Sequence, residues 1–233
     1  MKTITPQDQI IVALDFPSDH EALNLIDRLG DAVRFYKIGL QLFTKCGPPV
    51  VERIKATGAK VFLDLKFHDI PNTVKHSVTS ACELGADLMT IHLTGGAKMI
   101  KAAVDGLGNS QSLVLGVTVL TSSNRETLRE VAIESEVPDQ VLRLAKLGVE
   151  NGLRGVVASP LEIALLRQSI GDQLTIVTPG VRPVWAEAND QQRTMTPGEA
   201  VRTGANYLVI GRPITAHADP VEAAKKIIDE IAG

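Results

Sequence analysis

The sequence predicts one closed (β/α)8 barrel of the TIM type, an α/β fold in a single domain over residues 1–233. Eight short apolar runs recur along the chain, amphipathic stretches separate them, and four of those stretches end in a glycine that leads straight into the next run. Several runs are continuously apolar, as parallel strands covered by helices are. Regular alternation of strand and helix then selects a barrel. An open doubly wound sheet is the rival, but no Gly-x-Gly-x-x-Gly turn follows the first strand, which removes its usual dinucleotide-binding version.

The first strand is IIVAL (10–14), and the helix over 19–29 places Ala22, Leu25, Ile26 and Leu29 on one face. VRFYKIG (33–39) and KVFLDLK (60–66) are the second and third strands, followed by a helix over 71–84. DLMTIH (87–92) leads to a helix over 96–107, LVLGVTVL (113–120) to one over 138–150, and GVVAS (155–159) to one over 160–169. LTIVTP (174–179) and NYLVIG (206–211) complete the strands, and a helix over 219–232 follows. Ser159-Pro160 and Asp219-Pro220 are helix starts, each with a capping side chain and a proline in the first turn. Gly58, Gly85, Gly152 and Gly204 fit the left-handed position after a helix, where any other residue meets a steric cost.

Composition removes several function classes. There are 24 Lys and Arg against 27 Asp and Glu, a net charge of −3, so a strongly basic nucleic-acid binder is not expected. Five Phe, two Tyr and one Trp are too few for base-stacking platforms. Cys46 and Cys82 form no Cys-x-x-Cys pair and read as free thiols of a reducing compartment. The N-terminal stretch shows no signal peptide, and no run approaches the roughly 20 apolar residues that cross a bilayer. The expectation is a cytoplasmic protein with neither nucleic acid nor membrane as partner.

A barrel collects its chemistry at the C-terminal ends of its strands. The polar residues there are Asp15, Lys37, Asp64, Lys66, His92, Thr118, Thr121, Ser159, Arg182 and Arg212. Charge in such an apolar setting is costly unless a partner or ligand compensates it. The densest stretch runs Asp64-Leu65-Lys66-Phe67-His68-Asp69-Ile70-Pro71-Asn72-Thr73. Asp64 and Lys66, two apart, share one face of an extended strand, with Leu63 and Leu65 facing the helices. Lys37 and Asp15 reach the same mouth from neighbouring strands, so the four form an alternating charge array of the kind that functional sites concentrate; a purely structural ion pair is the plainer alternative. A lysine between aspartates stays protonated and suits proton donation better than Schiff-base attack. The acids could bind a divalent metal, but the interleaved lysines already neutralise them.

Gly211 at the end of the last strand admits a ligand close to the backbone, and with Arg212 it marks the phosphate site common after strands 7 and 8 of barrels; a helix cap with a solvent-exposed arginine is the plainer alternative. The loop from Gly180 past Arg182, Trp185, Gln191, Gln192 and Arg193 to Pro197 is long for a strand-to-helix connection and reads as a lid over that phosphate, with Trp185 packing it down; a merely disordered excursion is the alternative. His92 is either a supporting donor or a packed histidine, and no His-Glu-x-x-His pattern marks a hydrolytic zinc site. Ser159 lacks the Gly-x-Ser-x-Gly context of a nucleophile.

IVALDF (11–16), FYKIG (35–39), FLDLKFHDIPNTV (62–74), VTVLTS (117–122), TPGVRP (178–183) and VIGRPI (209–214) together resemble the orotidine 5'-phosphate decarboxylase family along the full length. Related barrels share Asp-x-Lys-x-x-Asp, whereas the two phosphate segments and the Leu-Thr-Ser element favour the decarboxylases. The resemblance implies conversion of orotidine 5'-phosphate to UMP and CO2, the last step of de novo UMP synthesis, without cofactor or metal. It implies a homodimer with sites shared across the interface. By position, Lys66 resembles the acid that protonates C6, and Asp64 and Asp69 resemble the acids beside the departing carboxylate, Asp69 coming from the partner chain. Ile70 and Thr73 of that partner complete the pocket, and Leu65, Phe67, His68, Pro71 and Asn72 lie in the same binding stretch. Asp15 and Lys37 resemble ribose-binding and charge-ordering residues, and Thr121 the residue at the pyrimidine edge. Arg182, Gln191, Gly211 and Arg212 resemble the gripping loop and phosphate site. Among barrels of this superfamily, a Mg2+-dependent phosphosugar synthase or decarboxylase is the alternative.

Overall fold

The computed structural model describes residues 4–186 and 195–233. Eight parallel strands close on themselves: β1 (Ile10–Ala13), β2 (Phe35–Gly39), β3 (Lys60–Phe67), β4 (Leu88–His92), β5 (Leu113–Val117), β6 (Gly155–Val157), β7 (Thr175–Pro179) and β8 (Tyr207–Ile210). The pairing of Ile11 in β1 with Val209 in β8 shuts the ring and excludes the open doubly wound sheet. The surrounding helices are α1 (Asp19–Leu29), α2 (Leu40–Cys46), α3 (Pro49–Ala56), α4 (Pro71–Glu83), α5 (Gly96–Gly106), α6 (Arg125–Glu130), α7 (Val137–Glu150), α8 (Ile163–Ile170), α9 (Pro197–Thr203), α10 (Arg212–Thr215) and α11 (Pro220–Ala232).

The expected helices stand where their apolar faces placed them. α1 buries Ala22, Leu25, Ile26 and Leu29. Asp219 caps α11 by accepting from the amides of Val221 and Glu222, and Ser159 caps a 3-10 turn over Pro160–Glu162 that precedes α8. The stretch read as one helix over 160–169 is therefore a tight turn followed by a helix. Gly58, Gly85, Gly152 and Gly204 all have positive φ, from 82° to 118°. The helices between β2 and β3 escaped the sequence reading because Gly47-Pro48-Pro49 interrupts the apolar period; it ends α2 and starts α3. The short α6, α9 and α10 offered too few turns for a periodic signal.

Two apolar layers form. Outward-facing residues such as Ile10, Val12, Ile38, Leu63, Met89 and Ile176 pack against the helices. Inside the barrel, Ile11, Ala13, Phe35, Phe62, Leu88, Leu115, Val177 and Val209 fill the floor. At the N-terminal end, the Arg167 guanidinium ties α8 to the neighbouring loops, donating to the carbonyls of Gly171, Leu174 and Gly204 and to Asn206 Oδ1. Asn206 Oδ1 also accepts from the Ile176 amide.

Candidate active site

The inward parity of the floor residues dictates what stands above them. Two residues beyond Phe35 comes Lys37, two beyond Phe62 comes Asp64, and two beyond Leu88 comes Thr90. All three therefore rise from the apolar floor toward the C-terminal mouth. The register agrees: Lys37 pairs with Phe62, and Gly39 with Asp64.

At the mouth the charges alternate. Lys37 Nζ lies 3.1 Å from Asp15 Oδ1 and 3.8 Å from Asp64 Oδ2. Asp64 Oδ1 accepts from Lys66 Nζ at 2.8 Å and from the Thr90 hydroxyl at 3.0 Å. The side chains of Lys37 and Asp64 are only 11% and 14% exposed, whereas that of Asp15 is 60% exposed. Desolvating an ion costs several kcal/mol, and a buried pair recovers that only with good geometry. An array so deep in the mouth is poor stability engineering and good preparation for a charged ligand.

The array forms one wall of a cavity of about 280 Å³. Phe62, Val117, Val157, Pro179 and Val209 make most of the remainder apolar, and Leu120, Thr121 and Ser122 border it after β5. Larger hollows, of about 510 and 630 Å³, lie at the N-terminal end of the barrel, the end associated with stability. The smaller cavity joins an apolar box to the convergent charges of the array.

Asp64 and Lys66 meet on one face, as expected, and Leu63 and Leu65 face the helices; what the expectation of an extended strand did not include is an irregularity in β3. The pairing with β4 slips between Leu63 and Phe67, and Lys66 has φ 53°, one of two non-glycine residues with positive φ among the described residues. The bulge therefore coincides with the residue that alternation already places at the mouth. Leu63 is buried in the outer core and Leu65 and Phe67 pack against it.

The rest of the predicted set divides. Lys37, Asp64, Lys66 and Thr121 line the cavity. His68 through Thr73 are exposed at the strand end and the start of α4. Asp69 Oδ1 accepts from the Ile70 amide, and among the described residues Asp69 has no ion pair. Ile70 is 67% exposed, unusual for so large an apolar side chain. Gly211 and Arg212 stand at the junction of β8 and α10. The Arg182 amide donates to the Met195 carbonyl, joining the two described ends of the long loop; Gln191, Gln192 and Arg193 lie outside the described residues. Trp185 packs edge-on against His217 with Lys226 over its ring, as a residue packing the loop down would. The Thr118 hydroxyl donates to the Val157 carbonyl, and Ser159 serves as a cap. His92 stacks obliquely 5.6 Å from His68. Burial holds its imidazole below the usual range, with the His68 and Lys66 charges acting the same way and Asp64 opposing them. Among the described residues, no three His, Cys, Asp or Glu side chains converge as a metal site would need, and no helix is long and apolar enough to cross a membrane.

Two contributors were missed. Thr90 is fully buried and carries no charge; its inward parity with Leu88 was the available signal. Gly39 sits so close that a Cβ there would lie 2.9 Å from Lys37 Nζ and 3.2 Å from Asp15 Oδ1. Nothing in the sequence distinguishes it from an ordinary strand-end glycine.

Comparison with known proteins agrees with the barrel fold and shows the family. Residues 8–227 match the model of the orotidine 5'-phosphate decarboxylase / HUMPS family. An orotidine 5'-phosphate decarboxylase from Syntrophotalea carbinolica is 49% identical, the match covering 98% of this chain and 97% of the relative. One from Geotalea uraniireducens is 50% identical over 96% and 95% of the two chains. The crystal structure of orotidine 5'-phosphate decarboxylase from Lactobacillus acidophilus superposes with a TM-score of 0.86 at 39% identity, covering 96% of this chain and 99% of that one.

Proposed function

This chain belongs to the orotidine 5'-phosphate decarboxylase / HUMPS family and is a decarboxylating lyase, and from that premise we propose how its residues remove the C6 carboxylate of orotidine 5'-phosphate. The observation that carries the reading is the Asp64 carboxylate shared between two ammonium groups, Lys66 at 2.8 Å and Lys37 at 3.8 Å, on the wall of an apolar cavity.

The pyrimidine occupies the cavity with its C6 carboxylate toward Asp64. The bond from C6 to the carboxylate carbon breaks, CO2 departs, and the electron pair stays on C6. The ring offers that pair no adjacent sink. The Lys66 ammonium stabilises it and passes a proton to C6, giving UMP; the neutral amine then takes a proton from solvent. Fixed charges lower such a barrier because they need no reorganisation during the reaction. Asp64 holds Lys66 in place and repels the substrate carboxylate, a ground-state contribution added to the electrostatic one.

Asp15 and Lys37 hold the ribose and order the charges, and Thr121 meets the pyrimidine edge. Arg182, Gln191, Gly211 and Arg212 grip the phosphate. Because the phosphate is remote from C6, its binding energy can close the loop and align the array. Asp69, Ile70 and Thr73 serve a second copy of the chain, so the enzyme works as a homodimer. Their exposure beside the mouth, with Ile70 presenting apolar surface to solvent, supports that assignment. The reaction uses neither metal nor cofactor: Lys37 and Lys66 already balance Asp15 and Asp64. It supplies UMP in the cytoplasm as the last step of its synthesis.

The direct test follows the loss of orotidine 5'-phosphate absorbance with excess chelator and no added metal. Undiminished turnover is expected. A rate that collapses in chelator and returns with Mg2+ would transfer the chain to the metal-dependent phosphosugar branch.

A further inference from the structure

The bulge in β3 poses a physical question. A non-glycine residue at φ 53° persists only where its surroundings over-determine it. Lys66 is such a residue, and its backbone contact is specific. The Lys66 amide donates to the Thr90 hydroxyl at 2.8 Å. That hydroxyl in turn donates its own proton to Asp64 Oδ1 at 3.0 Å. The same Oδ1 accepts from Lys66 Nζ at 2.8 Å.

Three hydrogen bonds among the Lys66 amide, the Thr90 hydroxyl, the Asp64 carboxylate and the Lys66 ammonium thus close a ring through one hydroxyl. Thr90 is fully buried, and β4 fixes its place: Thr90 pairs with Leu115 of β5 while its neighbours Met89 and Ile91 pack outward. A hydroxyl can accept and donate at once. Valine has the same branching and neither capacity; serine has both.

We propose that Thr90 is a positioning residue for the decarboxylation, locking the left-handed backbone of Lys66 and the carboxylate of Asp64 into one geometry so that the ammonium faces the reacting carbon. This rests on the proposed role of Lys66 as proton donor. Thr90 is not among the residues that line the cavity; it acts through the two residues it joins. Misplacing a reacting group by about 1 Å costs on the order of 100-fold in rate, which sets the expected scale.

The test compares Thr90→Val, Thr90→Ser and Lys66→Ala with the unaltered enzyme. Steady-state turnover of orotidine 5'-phosphate and the affinity for UMP by titration calorimetry are measured for each. In Thr90→Val, kcat is expected to fall about 100-fold while UMP affinity stays within a few-fold. Thr90→Ser is expected to recover most of the lost kcat. Near-normal kcat in Thr90→Val beside an inactive Lys66→Ala would overturn the positioning role and leave the lysine assignment standing. A parallel loss of kcat and UMP affinity in Thr90→Val, or no recovery in Thr90→Ser, would overturn it too, reducing Thr90 to a packing residue. Undiminished turnover in Lys66→Ala would remove the donor assignment on which the inference rests.

Discussion

Lys66 Nζ lies 2.8 Å from Oδ1 of Asp64, two residues earlier in the same strand. Strand alternation puts the two on one face, and a bulge in the same stretch gives Lys66 a positive φ with its amide directed at Thr90. The backbone irregularity and the proposed proton donor therefore fall on one residue.

If Lys66 is the proton source, its removal must stop chemistry more than binding. Lys66→Ala is expected to lose at least about 1,000-fold in kcat, the scale of a lost electrostatic group in a water-excluded site. UMP binding should persist, since ribose and phosphate contacts remain. Single-turnover kinetics and calorimetric titration check the two halves of the prediction.

The proposed function puts Arg212 at the phosphate end of the nucleotide. Arg212→Ala is expected to weaken UMP by about 1.5–3 kcal/mol, the range for a hydrogen bond to a charged group, and to leave uridine nearly unaffected. Competition binding with both ligands measures the contrast. Equal weakening would move the phosphate elsewhere.

The exposed Asp69 makes a complementation experiment possible. A Lys66→Ala chain and an Asp69→Ala chain, each inactive as a homodimer, are expected to regain part of the activity when mixed. One site of each mixed dimer then holds both native residues. Activity is followed alongside a mass-tagged measure of subunit exchange, and exchange without recovery would argue against a shared site.

Arg167 tests the separation of stability from chemistry. It donates to three loop carbonyls and to Asn206 at the end of the barrel opposite the cavity. Arg167→Met leaves those acceptors without their donor, at about 1–3 kcal/mol for each buried group left unsatisfied. The urea midpoint is expected to fall clearly while kcat of the folded enzyme stays unchanged.

Fold and site were unequally legible. The eight strands and the four left-handed glycines could be read because parallel strands and helix ends each demand particular residues at particular spacings. The charges at the strand ends were visible for the same reason, being out of place among apolar neighbours. α2 and α3 were hidden by the Gly47-Pro48-Pro49 interruption. The bulge at Lys66 arises from how β3 meets β4, and no local pattern records such a slip. Thr90 and Gly39 are small, ordinary strand residues whose importance lies in what stands beside them.

The central claim is that the Lys66 ammonium is held against the carbon that loses CO2. A crystal structure of the enzyme with 6-azaUMP measures this directly. The account predicts Lys66 Nζ within about 3.5 Å of the ring atom at position 6, the separation of a near-attack arrangement, with its contact to Asp64 intact. A Lys66 side chain directed out of the cavity, with another group against that atom, would contradict it.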